Sequence, residues 1–157
     1  MISGAQQICI GVTILAPIEA VWSAWTTENG VKTFFASQCK LDFRLSGVYE
    51  MYFDLEAPVG SRGGEGCVLL AIEQFKMLSF SWNAPPEFPI IRQQRTHVTV
   101  RFMQIGAEAT KVTLTHDGWG TSPDWQQVYH YFEHAWGEVV LPRLVQRFTL
   151  GQIDWKN

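Results

Sequence analysis

Hydrophobic and polar positions alternate near the start of the chain. Ile8, Ile10, Val12 and Ile14 face one way, and Cys9, Gly11 and Thr13 face the other. This period of two predicts a half-buried strand. Pro17 then opens a short helix carrying Val21, Trp22 and Trp25, because proline suits a first helical turn. A second short helix is predicted from about Thr27, ending near Phe34 and Phe35.

The middle of the chain reads as strands and turns. Leu41 to Leu45 is predicted as a strand, Ser46-Gly47 as a tight turn and Val48 to Phe53 as the returning strand. Leu41, Phe43, Tyr49, Met51 and Phe53 form the inward set of that pair. Pro58 to Gly64 is a loop by its turn residues. Gly66 to Glu73 and Leu78 to Trp82 are two further strands. Asn83 to Ile91 contains Pro85, Pro86 and Pro89 and cannot lie in a sheet centre, because proline lacks the ladder donor. It is read as a long loop, placed to act as a rim or lid. Alternation resumes over Thr96 to Phe102, with Val98, Val100 and Phe102 inward. Gly106 marks a hairpin, and Lys111 to Asp117 is the last strand, with Val112, Leu114 and His116 on its inner side.

Ser122-Pro123-Asp124 is a helix start: a capping residue, a proline at the first position and an acid near the positive dipole end. Val128, Phe132, Ala135, Trp136 and Val139 follow within one apolar stripe, while Gln126, Gln127, His130, Glu133, His134 and Glu138 fill the opposite face. Pro142 is expected to kink this helix or end its regular part. Seven strands curl rather than lie flat under one helix. The predicted fold is therefore α+β: a curved seven-stranded antiparallel sheet around a long C-terminal helix, with two short helices after the first strand, as one domain over 1–157.

Composition narrows the picture. The chain has 157 residues, enough to bury a core without staples. Charged residues make up only 17%, whereas there are seven Trp and ten Phe. Such aromatic content fits a bulky core or an aromatic pocket, and it also admits a homodimer. The net charge is −3, and Arg92, Arg95 and Arg101 are spread rather than clustered. Nucleic-acid binding is excluded on that ground. Cys9, Cys39 and Cys67 are odd in number and widely spaced, which reads as reduced thiols and a cytoplasmic setting. Ile8 to Trp25 lacks a cationic flank and carries Glu19 and Pro17, so it is not read as a signal sequence. No apolar run is long enough for membrane insertion.

Candidate chemistry is sparse. His130-Tyr131-Phe132-Glu133-His134 matches an inverted zinc-protease motif, but both histidines fall on the polar helix face, so no metal site is expected. His116 is the one polar member of an apolar inner set, and so the one candidate acid/base, with Tyr49 or a water. A satisfied structural histidine is the alternative. His97 falls on the outer side. Asp42 and Arg44 share an outward strand face and suit ion pairing. No nucleophile–base pair, phosphate loop or dinucleotide fingerprint is present, and no cofactor is expected.

The order and spacing of several segments resemble the helix-grip (SRPBCC) superfamily of START domains and birch-pollen-allergen-like proteins. Within it, the chain resembles the C-terminal domain of activators of heat-shock-protein-90 ATPase and their bacterial homologues. The segments are Pro17 to Trp25, Asp42-x-Arg44-x-x-Gly47-x-Tyr49, Gly66-x-Val68, Leu78-x-Phe80-x-Trp82, Thr96-x-Val98-x-Val100-x-Phe102 and Thr113 to Trp119. Ser46 stands where the family often has a first glycine, leaving Gly47 to supply the positive φ of the turn. The resemblance implies a cavity between sheet and helix that takes lipids, hormones or polyketides, with some members acting as cyclases. The sequence thus points to binding a small hydrophobic or aromatic molecule more than to catalysis. The alternatives are a cavity enzyme on a hydrophobic substrate and a regulator of the co-chaperone type. The candidate lining is Phe34, Phe35, Tyr49, Met51, Phe53, Phe80, Trp82, Phe88, Val98, Val100, Leu114, His116, Phe132 and Trp136.

Overall fold

The structure, a computed structural model, describes residues 6–156. Strand β1 is Ile8–Ile14, and its alternation buries Ile8 and Ile14 fully. Pro17 caps helix α1, Ile18–Thr26, which buries Val21, Trp22 and Trp25. Helix α2, Glu28–Val31, starts where the Thr27 hydroxyl accepts a hydrogen bond from the Gly30 amide at 3.0 Å. The chain then continues through β2 (Gln38–Leu41), β3 (Tyr49–Tyr52), β4 (Leu69–Glu73), β5 (Met77–Trp82), a short helix α3 (Pro89–Arg92), β6 (Thr96–Gly106) and β7 (Ala109–Asp117).

Five strands pair antiparallel in the order β1-β7-β6-β5-β4, and β2 pairs with β3 as a separate ribbon. The ribbon joins the β4 edge through single bridges, Val48 with Val68 and Tyr52 with Gly63. Backbone bonds from Tyr49 to Cys67 (2.9 Å) and from Gly64 to Met51 (2.7 Å) reinforce that seam. Seven strands are present as expected, but the ladder breaks there and the sheet turns its corner. The fold is the α+β helix-grip arrangement, with the long C-terminal helix on the concave side.

Five sequence expectations are corrected in this region. The strand expected from Leu41 to Leu45 lies earlier, at Gln38–Leu41, with Leu41 opposite Tyr49. Asp42 to Gly47 forms the turn instead, closed by bonds from Asp42 N to Val48 O (2.8 Å) and from Gly47 N to Arg44 O (2.9 Å). Phe43 is consequently 38% exposed rather than inward, and Asp42 and Arg44 pair with each other at 2.6 Å instead of across a sheet. Ser46, not Gly47, takes the positive φ of 62°. Gly47 is needed for a different reason: a Cβ there would overlap the Asp42 carbonyl oxygen. The strand expected from Gly66 begins its ladder only at Leu69.

The C-terminal helix begins at Pro123 after Ser122, as its start signal predicts, and α4 runs to His134. A π-turn follows over Ala135–Val140, and α5 continues from Leu141 to Thr149. Pro142 has no amide hydrogen for the residue 138 carbonyl and crowds it, so the ladder widens just upstream. The helix therefore neither ends nor breaks at Pro142. The extra residue in that turn rotates the apolar stripe: Val140 is buried, and Val139, expected inward, is only half-buried. Gly137 crosses β1 closely, where an added Cβ would touch the Ile10 side chain.

Candidate functional site

Aromatic rings fill most of the space between sheet and helix. Trp25 meets Phe34 with centroids 4.9 Å apart, Phe34 meets Phe35 at 5.6 Å, and Phe35 meets Trp82 at 5.7 Å. Trp82 then meets Trp136 at 5.7 Å, and Trp136 stacks on Phe132 at 6.3 Å. This chain of rings carries contact from α1 through the sheet to the C-terminal helix. Edge-on and offset ring pairs each add roughly 0.5–1.5 kcal/mol beyond the area they bury.

The packing stops short at one end, leaving an apolar recess of about 270 Å³. Phe35, Phe53, Trp82, Phe132, Trp136, Val139 and Val140 form its walls, with Tyr131, His134, Ala135 and Arg143 at its edge. Beside it lies a second, less apolar recess of about 190 Å³ that shares Phe53, Trp82, Tyr131 and Phe132. Its other walls come from the loop after β3 (Asp54, Ser61, Arg62 and Gly63) and from Asn83 to Glu87. The long proline-containing loop thus borders this second recess before closing into α3.

Arg92 of α3 knits those two loops together. Its guanidinium donates to the carbonyls of Ala84 (2.6 Å), Gly60 (2.8 Å) and Gly63 (2.8 Å), and lies 3.3 Å from Glu65 Oε1. Glu65 in turn accepts the amides of Arg62 (2.9 Å) and Gly63 (2.8 Å). The loops that border the second recess are therefore held by a satisfied network.

Five of the sequence-predicted residues, Phe35, Phe53, Trp82, Phe132 and Trp136, come together around the apolar recess. Phe34, Tyr49, Met51, Phe80, Val98, Val100, Leu114 and His116 lie beneath it as packed core, each fully buried and lining neither recess. Phe88 borders a separate depression with Ile91 and Trp125. Tyr131, His134, Val140 and Arg143 were not anticipated. Val140 enters through the π-turn, and Pro142 was the available signal for that shift. His134, expected to point away from the site, reaches the recess edge, whereas His130 stays on the outer face, 2.8 Å from Glu133. Among the described residues, no group of three or more His, Cys, Asp or Glu side chains is placed to hold a metal ion.

His116 has a full set of partners. The Trp136 indole N–H donates to its Nδ1 at 2.9 Å, so Nε2 carries the hydrogen and donates to the Thr96 hydroxyl at 2.6 Å. That hydroxyl then donates toward the Trp82 carbonyl at 3.5 Å. Burial, helped by the nearby His97 charge, holds the imidazole well below its ordinary pKa. His97 itself is half-exposed, 3.4 Å from Asp117. The neutral His116 ring thus fastens the helix, through Trp136, to β6 and β7, and so sets where two walls of the recess stand.

A family model, that of the activator of Hsp90 ATPase homolog 1-like proteins, matches residues 15–149. The chain belongs to this family. Among solved structures, an HSP90 activator from Plasmodium falciparum is 18% identical with a TM-score of 0.70, the match covering 95% of this chain and 99% of that one. The Aha1 dimer from Colwellia psychrerythraea is 17% identical with a TM-score of 0.69, covering 93% and 98%. A protein from Mesorhizobium loti is 22% identical with a TM-score of 0.68, covering 90% and 95%. At these identities the activator-like neighbours share the fold. No curated protein matches the chain. No helix among the described residues is long and apolar enough to cross a membrane.

Proposed function

We propose that this activator-homologue protein binds a small hydrophobic or aromatic molecule in the apolar recess between the sheet and the C-terminal helix. The observation that carries the reading is the interrupted packing: five aromatic rings and two valines meet around a solvent-open hollow instead of closing it. Small-molecule sites are usually apolar clefts with a few polar groups at the edge. The His116 network favours binding over catalysis, because both ring nitrogens are occupied and the ring lines neither recess. Trp82 and Trp136 line the hollow, so an occupant should change their fluorescence. Native mass spectrometry after incubation with cell lipid extract provides the direct test. An adduct, displaced by an apolar dye, is the expected result; no adduct together with no dye binding sinks the reading.

The family match favours a second reading, regulation of the heat-shock-protein-90 ATPase by direct contact. Pull-down with that chaperone's middle domain, followed by an ATPase assay, tests it; no binding at tens of micromolar counts against it. The dimeric neighbour from Colwellia prompts a check of self-association by sedimentation under the same conditions.

A further inference from the structure

Resting on the reading of the apolar recess as a binding site, we infer that its ligand is a hydrophobic carboxylic acid whose carboxylate is received by Arg143. Among the described residues, none that lines the recess carries a carboxylate. Among the described residues, the only permanently charged group lining it is the Arg143 guanidinium, with His134 as the other basic side chain there. Asp54 and Glu87 line the neighbouring recess together with Arg62 and Arg92, so charges of both signs stand there, whereas the apolar recess has only the cationic Arg143 beside it.

Arg143 is held in place without its donors being used. Its guanidinium carbon lies 5.1 Å from the centroid of the Trp155 ring. Trp155 is itself anchored, its indole N–H donating to the Lys32 carbonyl at 2.6 Å, and the neighbouring Ile153 amide donates to Thr33 at 2.9 Å. The chain after α5 thus folds back on the turn after α2 and brings the ring to Arg143. Stacking occupies the face of a guanidinium and leaves its in-plane N–H groups for an acceptor. Among the described residues Arg143 makes no hydrogen bond and no ion pair. A pre-placed guanidinium beside an apolar hollow matches the planar, two-oxygen geometry of a carboxylate and the apolar body attached to it.

The volume, about 270 Å³, is near the lower end of the range for small-molecule sites, roughly 300–1,000 Å³. It favours a compact ring system over a long chain. 2-Naphthoic acid and its uncharged analogue 2-naphthamide are therefore suitable paired probes, read by quenching of tryptophan fluorescence and by calorimetry. The acid should bind the unaltered protein about tenfold more tightly than the amide, as one charge-assisted pair implies. Arg143→Gln should abolish that preference while amide affinity stays the same, which also reports an intact recess. If Arg143→Gln loses both probes, Arg143→Lys must bind the acid in preference to the amide; its failure to do so counts against the assignment. Equal affinities in the unaltered protein, an unchanged preference in Arg143→Gln, or loss of the preference only in His134→Gln would each overturn the role of Arg143 while leaving the apolar recess standing. Binding of neither probe while the apolar dye still binds would overturn the carboxylic-acid assignment alone; loss of dye binding as well would overturn both readings.

Discussion

At His116, one imidazole joins three elements, and its protonation state is part of the fold. The ring is neutral in the folded protein because burial opposes its charge. In the unfolded chain it titrates near the ordinary value of 6.5. Stability from the neutral ring is therefore fully present above pH 6.5 and is lost as the pH falls from there toward the lower folded value. The loss is at most about 1.4 kcal/mol per pH unit, one proton's worth. Urea denaturation titrated downward from neutrality should show this slope, and His116→Gln should flatten it while lowering stability throughout. Tyr49 offers a second test. Its hydroxyl donates to the Trp25 carbonyl at 2.7 Å in the core. Tyr49→Phe leaves that buried carbonyl unpaired and should cost about 1–3 kcal/mol in the same assay. The thiols should divide by burial. Cys67 is pushed up to about 12 and Cys39 to about 11, chiefly by burial, and Cys9 is exposed. A disulfide reagent at mildly alkaline pH should label Cys9 first, the half-buried Cys39 more slowly and the buried Cys67 only on unfolding.

Among the elements, the long helix decides the site, and its π-turn decides which residues the helix presents. A regular helix would have carried Val139 inward with Trp136. The widened turn buries Val140 and leaves Val139 at the recess wall. Val140→Ala should therefore cost about 1–2 kcal/mol, whereas Val139→Ala should cost clearly less, as read by thermal unfolding. The β2–β3 ribbon shows the complementary case. Alternation continues past Leu41 through Phe43, but the register with β3 ends at Leu41 opposite Tyr49. The pattern of side chains could not reveal where the pairing stops, because a turn residue and a strand residue both tolerate Phe. Gly47 was marked as a turn residue for its φ, whereas the approach of the Asp42 carbonyl is what requires it.

Across the whole molecule, the aromatic excess is mostly core. The ring series from Trp25 to Phe132 packs helix α1, the sheet and the C-terminal helix against one another. The recess is what that packing leaves open. Its occupant binds a surface that exists only when sheet and helix are docked, so it should stabilise the folded protein as a unit. A ligand at about 100 times its Kd adds about 2.7 kcal/mol. For a chain of this size that corresponds to a rise in Tm of about 5–10 °C. Differential scanning fluorimetry with 2-naphthoic acid should show it, and Arg143→Gln should reduce it at equal ligand concentration.

The sequence by itself determined the order of the strands, of the first two helices and of the long helix, the inner face of β1, β6 and β7, the start of the long helix at Ser122-Pro123 and the family resemblance. Each of these is written in local periodicity, a cap or the spacing of motifs. Helix α3, inside the segment read as a loop, was not expected. Five of the recess-wall aromatics were also legible, because large apolar residues on inward positions must meet somewhere between sheet and helix. Tertiary structure alone decided that eight other candidates are filled core, that the β3–β4 seam breaks the sheet, and that Arg143 is brought beside Trp155. Those outcomes depend on where separate segments stop packing and on contacts between residues far apart in the chain. Pro142 carried a local signal of a disturbed helix, but its consequence, Val140 inside and Arg143 at the edge of an apolar hollow, depends on where the helix meets the sheet.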